Sequence, residues 1–144
     1  MFRRSLMCLV AVFALNGLVP ADDKDDLKAM NGTWKMEKAI FMGKDSSELF
    51  KAATLTVEGG KYTVTFNDQT DKGTLTVDSS KKPKRLTVKS SEGSNKDKTF
   101  ECIYELKDDT MTVCYALEGK DPPKEFVSKE GTMTLLATYK REKK

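Results

Sequence analysis

Few residue types in this 144-residue chain are suited to chemistry. It contains no histidine, which excludes histidine-based catalytic triads, imidazole metal ligands and histidine general bases. The glycine-containing stretch "EGGK" at 58–61 is typical of a hairpin turn and lacks the spacing of a phosphate-binding loop. We therefore expect no cofactor and no nucleotide site.

Carboxylates offer two further possibilities, and both are weak. The stretch "DQTDKG" at 68–73 has the alternating oxygen ligands of part of a calcium loop but lacks the glutamate at the twelfth position, so we interpret it as a solvated turn and predict no metal site. An enzyme would need an acid such as Glu105 beside Tyr104, but Glu105 falls on the outward face of its predicted strand. We expect no catalytic residues and no enzymatic activity.

Two cysteines, Cys102 and Cys114, lie on neighbouring predicted strands. Strand alternation directs Cys102 inward and Cys114 outward, whereas a disulfide between strands needs both residues on one face. We therefore expect two free thiols. A bulge at Asp108 or Asp109 would shift the alternation by one residue and make a disulfide possible, so the bridge stays open as the alternative.

Hydrophobic alternation with a period of two dominates the sequence after residue 32. Apolar residues alternate with threonine and charged residues, a pattern typical of antiparallel strands with one dry and one solvated face. The clearest runs are "TLTV" at 54–57, "KYTVTF" at 61–66, "GTLTV" at 73–77, "RLTV" at 85–88, "FECIYEL" at 100–106, "MTVCYAL" at 111–117 and "MTLLATY" at 133–139.

Short polar breaks separate these runs, among them 67–73, 78–84 and 90–98, and favour hairpins between successive strands. With a first strand at about 33–42, the chain has about eight strands. One short helix is predicted at 46–53, with Ser46 or Ser47 as its cap. An eight-stranded antiparallel up-and-down barrel removes exposed sheet edges and is our predicted all-β fold. A β-sandwich is the alternative.

The N-terminal residues have the order of a secretory signal peptide: Arg3 and Arg4, an apolar run, and small residues at Val19–Ala21. We predict a signal peptide at 1–21, a single barrel domain at 22–144, and an exported protein that is periplasmic or secreted. The apolar run is shorter than the roughly 20 residues of a spanning helix, so we expect no membrane insertion after cleavage.

Charge argues against nucleic acid as a partner. Removing residues 1–21 takes two of the 25 basic residues and none of the 22 acidic ones, which leaves 23 against 22. Binding to phosphates needs a basic footprint that this nearly neutral surface lacks. The one basic cluster, "KKPKR" at 81–85, is interpreted as a turn.

The stretch "NGTWKMEKA" at 31–39 resembles the Gly-x-Trp element that opens lipocalins and related calycin barrels. The resemblance implies that Gly32 and Trp34 mark one end of the barrel and that a basic residue of the last strand packs across the indole. Arg141 is the first choice for that residue and Lys140 the second. A cation over an indole contributes about 0.5–2 kcal/mol.

Several further stretches resemble an uncharacterised family of short, exported, lipocalin-like proteins from planctomycetes. They are "GGKYTVTF", "SKKPKRLTV", "CIYELKDDTMTVCYA", "GKDPPKEF" and the closing "YKRE", and with "NGTWKMEKA" they cover nearly all of residues 27–142. The resemblance implies a calycin-like barrel outside the cytoplasm and implies no reaction. Where that family has glycine in the hairpin after "YEL", this chain has Asp108, which tolerates a left-handed backbone at a modest cost.

The resulting functional prediction is a non-enzymatic, lipocalin-like domain that binds a small apolar ligand inside its barrel. The alternative is a structural or protein-interaction module whose barrel is filled by its own side chains, since eight strands suit either arrangement. The predicted interior residues are Met36, Tyr62, Phe66, Leu75, Tyr104, Val113, Tyr115 and Tyr139.

Overall fold

The computed structural model describes residues 21–118 and 121–142. The predicted signal peptide at 1–21 lies outside them, except for Ala21 at the start of the first helix. Of the helices in the described ranges, none has both the length and the apolar character needed to cross a bilayer.

Nine antiparallel strands and two short helices make up the described chain. In order, the elements are α1 Ala21–Met30, β1 Gly32–Phe41, β2 Lys44–Asp45, α2 Ser47–Phe50, β3 Thr54–Glu58, β4 Lys61–Phe66, β5 Gln69–Asp78, β6 Lys84–Glu92, β7 Thr99–Lys107, β8 Thr110–Ala116 and β9 Thr134–Arg141.

The predicted barrel is confirmed. Strands β1 and β3 to β9 pair with their neighbours in chain order, and β9 returns to pair with β1 from Trp34 opposite Arg141 to Phe41 opposite Leu135. This last pairing closes one sheet into an eight-stranded barrel, so the sandwich alternative is wrong. Strand β2 is an additional two-residue strand on the end of β1.

A bulge in β1 adjusts the phase of its side chains. The register with β9 shifts between Met36 and Lys38, where the sequence places two charged residues, Glu37 and Lys38, side by side. The extra residue keeps both charges in solvent while Met36 and Ala39 remain buried. One bulge therefore reconciles a broken alternation with a continuous inner face.

Tight hairpins join several strands where longer breaks were predicted. The break at 67–73 is one example, because β5 already begins at Gln69 and Phe66 pairs with Gln69. Asn67 supplies the positive φ of 56° that this turn requires, and Asp108, at 54°, does the same between β7 and β8. Both are residue types that tolerate a left-handed backbone, as we expected of Asp108.

The two helices differ from the sequence prediction. Helix α2 is a single turn, shorter than the predicted 46–53, and its N-cap Ser46 makes no side-chain capping bond. Ser47 Oγ instead bonds Asp45 and the β1 backbone at Ala39. Helix α1 was not predicted.

Both cysteines are buried and free. Cys102 lies opposite Tyr115 on the inner face, while Cys114 lies opposite Ile103 on the outer face. The register between β7 and β8 contains no shift, so the bulge that a disulfide would need is absent from this hairpin. Cys114 is buried because the β8–β9 connection covers it, and its Sγ lies 3.5 Å from the carbonyl oxygen of Val127.

The barrel interior as a candidate binding site

One end of the barrel is closed by helix α1 together with Trp34 and Arg141. The indole of Trp34 is fully buried, and the guanidinium carbon of Arg141 lies 4.3 Å from its ring centre. Trp34 Nε1 donates to the carbonyl oxygen of Met30 at 2.9 Å, and Arg141 donates to the carbonyl oxygens of Ala29 and Asn31. The last carbonyls of a helix have no partners within it, so these two side chains satisfy the end of α1 and fix it to the barrel.

The geometry at this end explains why residue 32 is a glycine. It also shows which of the two basic candidates lies over the indole. Gly32 has a φ of 133°, and a Cβ atom there would lie 2.8 Å from Arg141 Nη1, so a larger residue would displace the guanidinium. Arg141 Nε also donates to Asp109 at 3.1 Å. Lys140 is exposed and is not the residue over the indole. The first-choice residue, Arg141, occupies that position.

Polar contacts fix the rest of α1. Asp23 is buried and accepts hydrogen bonds from the backbone N–H and hydroxyl of Ser79, at 2.7 and 2.6 Å. Asp26 accepts from Lys84 Nζ at 3.0 Å and from the Tyr104 hydroxyl at 2.5 Å. Burial and the bond to Asp26 raise the pKa of Tyr104 above its usual range, so this hydroxyl stays a donor. These bonds hold the helix against the end of β5, the start of β6 and the interior of β7.

The middle of the barrel contains a cavity of about 480 Å³. Seven of the eight predicted interior residues line it: Met36, Tyr62, Phe66, Leu75, Val113, Tyr115 and Tyr139. Tyr104 does not, because its side chain points to the closed end and bonds α1. The apolar residues that complete the wall and were not among the eight interior candidates are Met30, Phe50, Ala53, Leu55, Val64, Leu86, Val88, Phe100, Met111, Leu117, Met133 and Leu135.

Polar lining residues cluster at the end opposite Trp34, which we call the mouth: Gln69, Asp71, Ser94, Asn95 and Lys98. They come from the start of β5 and from the β6–β7 connection. Asp71 Oδ1 accepts from the backbone N–H of Ser94 at 2.8 Å, and Oδ2 accepts from Asn95 Nδ2 at 3.1 Å. One carboxylate thus holds the β6–β7 connection against β5.

Two tyrosines meet inside the cavity. The hydroxyl oxygens of Tyr115, from β8, and Tyr139, from β9, lie 2.7 Å apart. Burial raises the pKa of Tyr139 to about 12, and burial together with the neighbouring Tyr139 raises the pKa of Tyr115 well above its usual value. Both hydroxyls therefore stay protonated throughout the physiological range and can donate a hydrogen bond.

The third cavity tyrosine, Tyr62, is not a member of this hydrogen-bonded pair. Its ring packs over Gly73, where a Cβ atom would lie 2.8 Å from the ring and 2.1 Å from the carbonyl oxygen of Lys89. Burial raises the pKa of Tyr62, and the nearby Ser90 partly offsets the rise. Gly73 therefore gives the ring its place on the inner wall.

No protein family, curated protein or solved structure gives a significant match to this chain. Within residues 21–118 and 121–142, no group of three or more cysteine, aspartate or glutamate side chains is arranged to hold a metal ion. The functional interpretation is therefore based on the geometry of the barrel itself.

Proposed function

We propose that this protein is a binding module that holds one small, mainly apolar molecule inside its barrel. The observation that carries the proposal is the cavity of about 480 Å³ with a wall of aliphatic, methionine and aromatic side chains. Small-molecule sites commonly have volumes of roughly 300–1,000 Å³, apolar walls and few polar groups.

The difference between the two ends supports a defined route for the ligand. The Trp34 end is occupied by a helix whose terminal carbonyls are bonded to barrel side chains. The mouth is formed by the β4–β5 and β6–β7 connections and by the single-turn helix α2, with Phe50 and Phe66 stacked at a centroid distance of 5.7 Å. A ligand would enter between these aromatic rings and the β6–β7 connection.

The alternative function, a structural or interaction module with a filled barrel, needs side chains that occupy the interior. Val64, Phe66, Leu75, Tyr115 and Leu135 are instead only partly buried although they face inward. A binding cavity is lined by inward-facing apolar side chains that neighbouring residues leave partly uncovered. We therefore favour the binding module.

The proposal includes the calycin-like assignment and export from the cytoplasm. Support for the first comes from the eight-stranded meander together with Gly32, Trp34 and Arg141 at its closed end. Support for export comes from the residue order at 1–21. Edman sequencing of the protein recovered from cells tests the export prediction, with a new N-terminus after Ala21 as the expected result.

The binding proposal is tested with N-phenyl-1-naphthylamine, an uncharged dye that fluoresces in apolar surroundings. We expect saturable binding of one dye per wild-type chain. Leu75→Trp places a large ring in the cavity and should abolish this signal, because Leu75 faces the interior. Thr76→Trp is the matched control, since the neighbouring residue is exposed.

Circular dichroism and thermal melts establish that both variants fold. Equal dye binding by folded Leu75→Trp and Thr76→Trp would place the dye elsewhere and would refute the interior site. The absence of saturable binding by the wild type, with this dye and with a panel of uncharged apolar molecules, would favour the filled-barrel alternative.

A further inference from the structure

The cavity wall contains a pair of polar groups, away from the mouth, that bond each other and that the closure of the barrel does not use. This feature is the Tyr115–Tyr139 hydroxyl pair, which β8 and β9 bring together at 2.7 Å. Tyr104, by contrast, donates its hydroxyl to Asp26 at the closed end. The pair is therefore available for a ligand.

Hydrogen-bond counting shows what the pair offers. Two hydroxyls carry two protons, and their mutual bond uses one of them. The second proton has no acceptor among residues 21–118 and 121–142. That proton faces a mainly apolar cavity, so an acceptor brought by a ligand would complete the pair.

We propose that the Tyr115–Tyr139 pair selects an uncharged oxygen acceptor, such as a ketone, ester or quinone carbonyl, on an otherwise apolar ligand. This inference rests on the proposed binding function and names the ligand class for the same cavity. The acceptor receives a hydrogen bond from one hydroxyl, while that hydroxyl continues to accept from the other.

The surrounding charges explain why the acceptor is uncharged. An anion inside the barrel would need a compensating cation, because moving an ionised group out of water is costly. Arg141 is held at the closed end by Asp109 and by the carbonyls of α1. Lys98 is at the mouth, among the other polar lining residues. A carbonyl needs only the proton that the tyrosines supply.

The test compares two ligands of nearly the same shape, 2-acetylnaphthalene and 2-isopropenylnaphthalene, which differ in a C=O against a C=CH₂ group. Each dissociation constant is measured by displacement of N-phenyl-1-naphthylamine. The two ligands differ in hydration, so the informative quantity is the ratio of their affinities, compared between wild type and variant. We expect Tyr115→Phe and Tyr139→Phe to lower the preference for the ketone roughly two- to tenfold.

Tyr104→Phe is the matched control, because it removes a tyrosine hydroxyl that donates to Asp26 at the closed end and does not line the cavity. It should leave the affinity ratio unchanged. Ionised 2-naphthoate should bind more weakly than the ketone and should not respond to the two variants of the pair. If Tyr115→Phe and Tyr139→Phe lower the affinity for naphthoate as much as they lower the affinity for the ketone, the proposed selection for uncharged groups is overturned.

Infrared spectroscopy of the wild-type complex provides a measurement that does not depend on any variant. The carbonyl stretch of bound 2-acetylnaphthalene should lie at lower wavenumber than in hexane. A stretch at the hexane value, or an unchanged affinity ratio in both variants of the pair, would overturn this inference while leaving the binding function intact. Failure of the dye and of both naphthalenes to bind would refute the proposed function and this inference with it.

Discussion

The two ends of this barrel are built by opposite means. At the closed end, Trp34 is fully buried, Arg141 covers it, and helix α1 is bonded to strands on several sides. At the mouth, apolar residues such as Phe50 and Phe66 remain partly exposed, and one carboxylate, Asp71, holds the neighbouring connection. Stability is therefore concentrated at one end, and accessible apolar surface at the other.

This comparison shows how a small barrel can contain a cavity and still fold. An empty interior forfeits packing contacts, so the stabilisation has to come from elsewhere in the structure. The closed end supplies it through a buried indole, a cation over that indole, and satisfied helix carbonyls. The following predictions test whether the energetic difference between the ends is as large as the geometry indicates.

The largest effect is expected from truncating aromatic residues at the two ends. Trp34→Ala should lower the free energy of unfolding by about 3–5 kcal/mol, because it empties a fully packed site. Phe66→Ala should cost about 1–2 kcal/mol, because this ring is already partly exposed to the cavity. Urea denaturation followed by circular dichroism measures both values.

Trp34→Phe keeps the comparison measurable if Trp34→Ala does not fold. It retains an aromatic ring but loses the N–H bond to Met30, and its cost should still exceed that of Phe66→Ala. Equal losses at the two ends would contradict the proposed concentration of stability.

The second prediction concerns alkaline pH and the cavity tyrosines. The pKa of Tyr139 is about 12 in the folded protein, against an ordinary value of 10. Stability from keeping this hydroxyl protonated is fully present below pH 10 and is lost as the pH rises through 12. Between these values the wild type should lose about 2–3 kcal/mol more of its unfolding free energy than Tyr139→Phe.

Chemical denaturation at a series of pH values tests this difference. Between pH 7 and 9 the difference in unfolding free energy between the wild type and Tyr139→Phe should stay constant, and this range provides the internal control. If this difference in unfolding free energy is also constant from pH 10 to 12, Tyr139 ionises as easily in the folded chain as in the unfolded one.

The third prediction compares the two adjacent basic residues at the closed end. Arg141→Lys keeps the charge but loses the planar group that lies over the indole and bonds two carbonyls and Asp109. We expect a loss of about 1–2 kcal/mol. Lys140→Met, at an exposed position, should change stability by less than about 0.5 kcal/mol. A similar cost for both variants in urea titrations would argue against a specific role for the guanidinium.

The period-two alternation predicted the barrel and its inner face because burying one side of each strand imposes that period. Thus seven of the eight interior candidates line the cavity. The eighth, Tyr104, shows the limit of the pattern. Alternation tells which face a side chain is on, but its depth along the barrel depends on strand register and tilt. Both depend on pairings distant in sequence.

Features outside the strands were harder to predict. Helix α1 contains only two apolar anchors, Leu27 and Met30, in a largely charged segment, too few to give a clear helical period. Its docking depends on Trp34 and Arg141, which are remote from each other in the sequence. The mouth residues Ser94 and Asn95 lie in a polar connection without periodicity, and only the contact with Asp71 reveals their place.

The smallest expected effect is at the mouth, where Asp71 holds the β6–β7 connection. Asp71→Asn preserves the shape of the side chain but removes the charge that strengthens the bonds from Ser94 and Asn95. We expect global stability to change by less than about 0.5 kcal/mol, while local opening becomes easier by about 1 kcal/mol. Hydrogen exchange at the amide of Ser94 should therefore accelerate about fivefold. Asp97→Asn, an exposed change in the same connection, should leave this rate unaltered, and equal acceleration by both variants would show that Asp71 does not hold the connection in place.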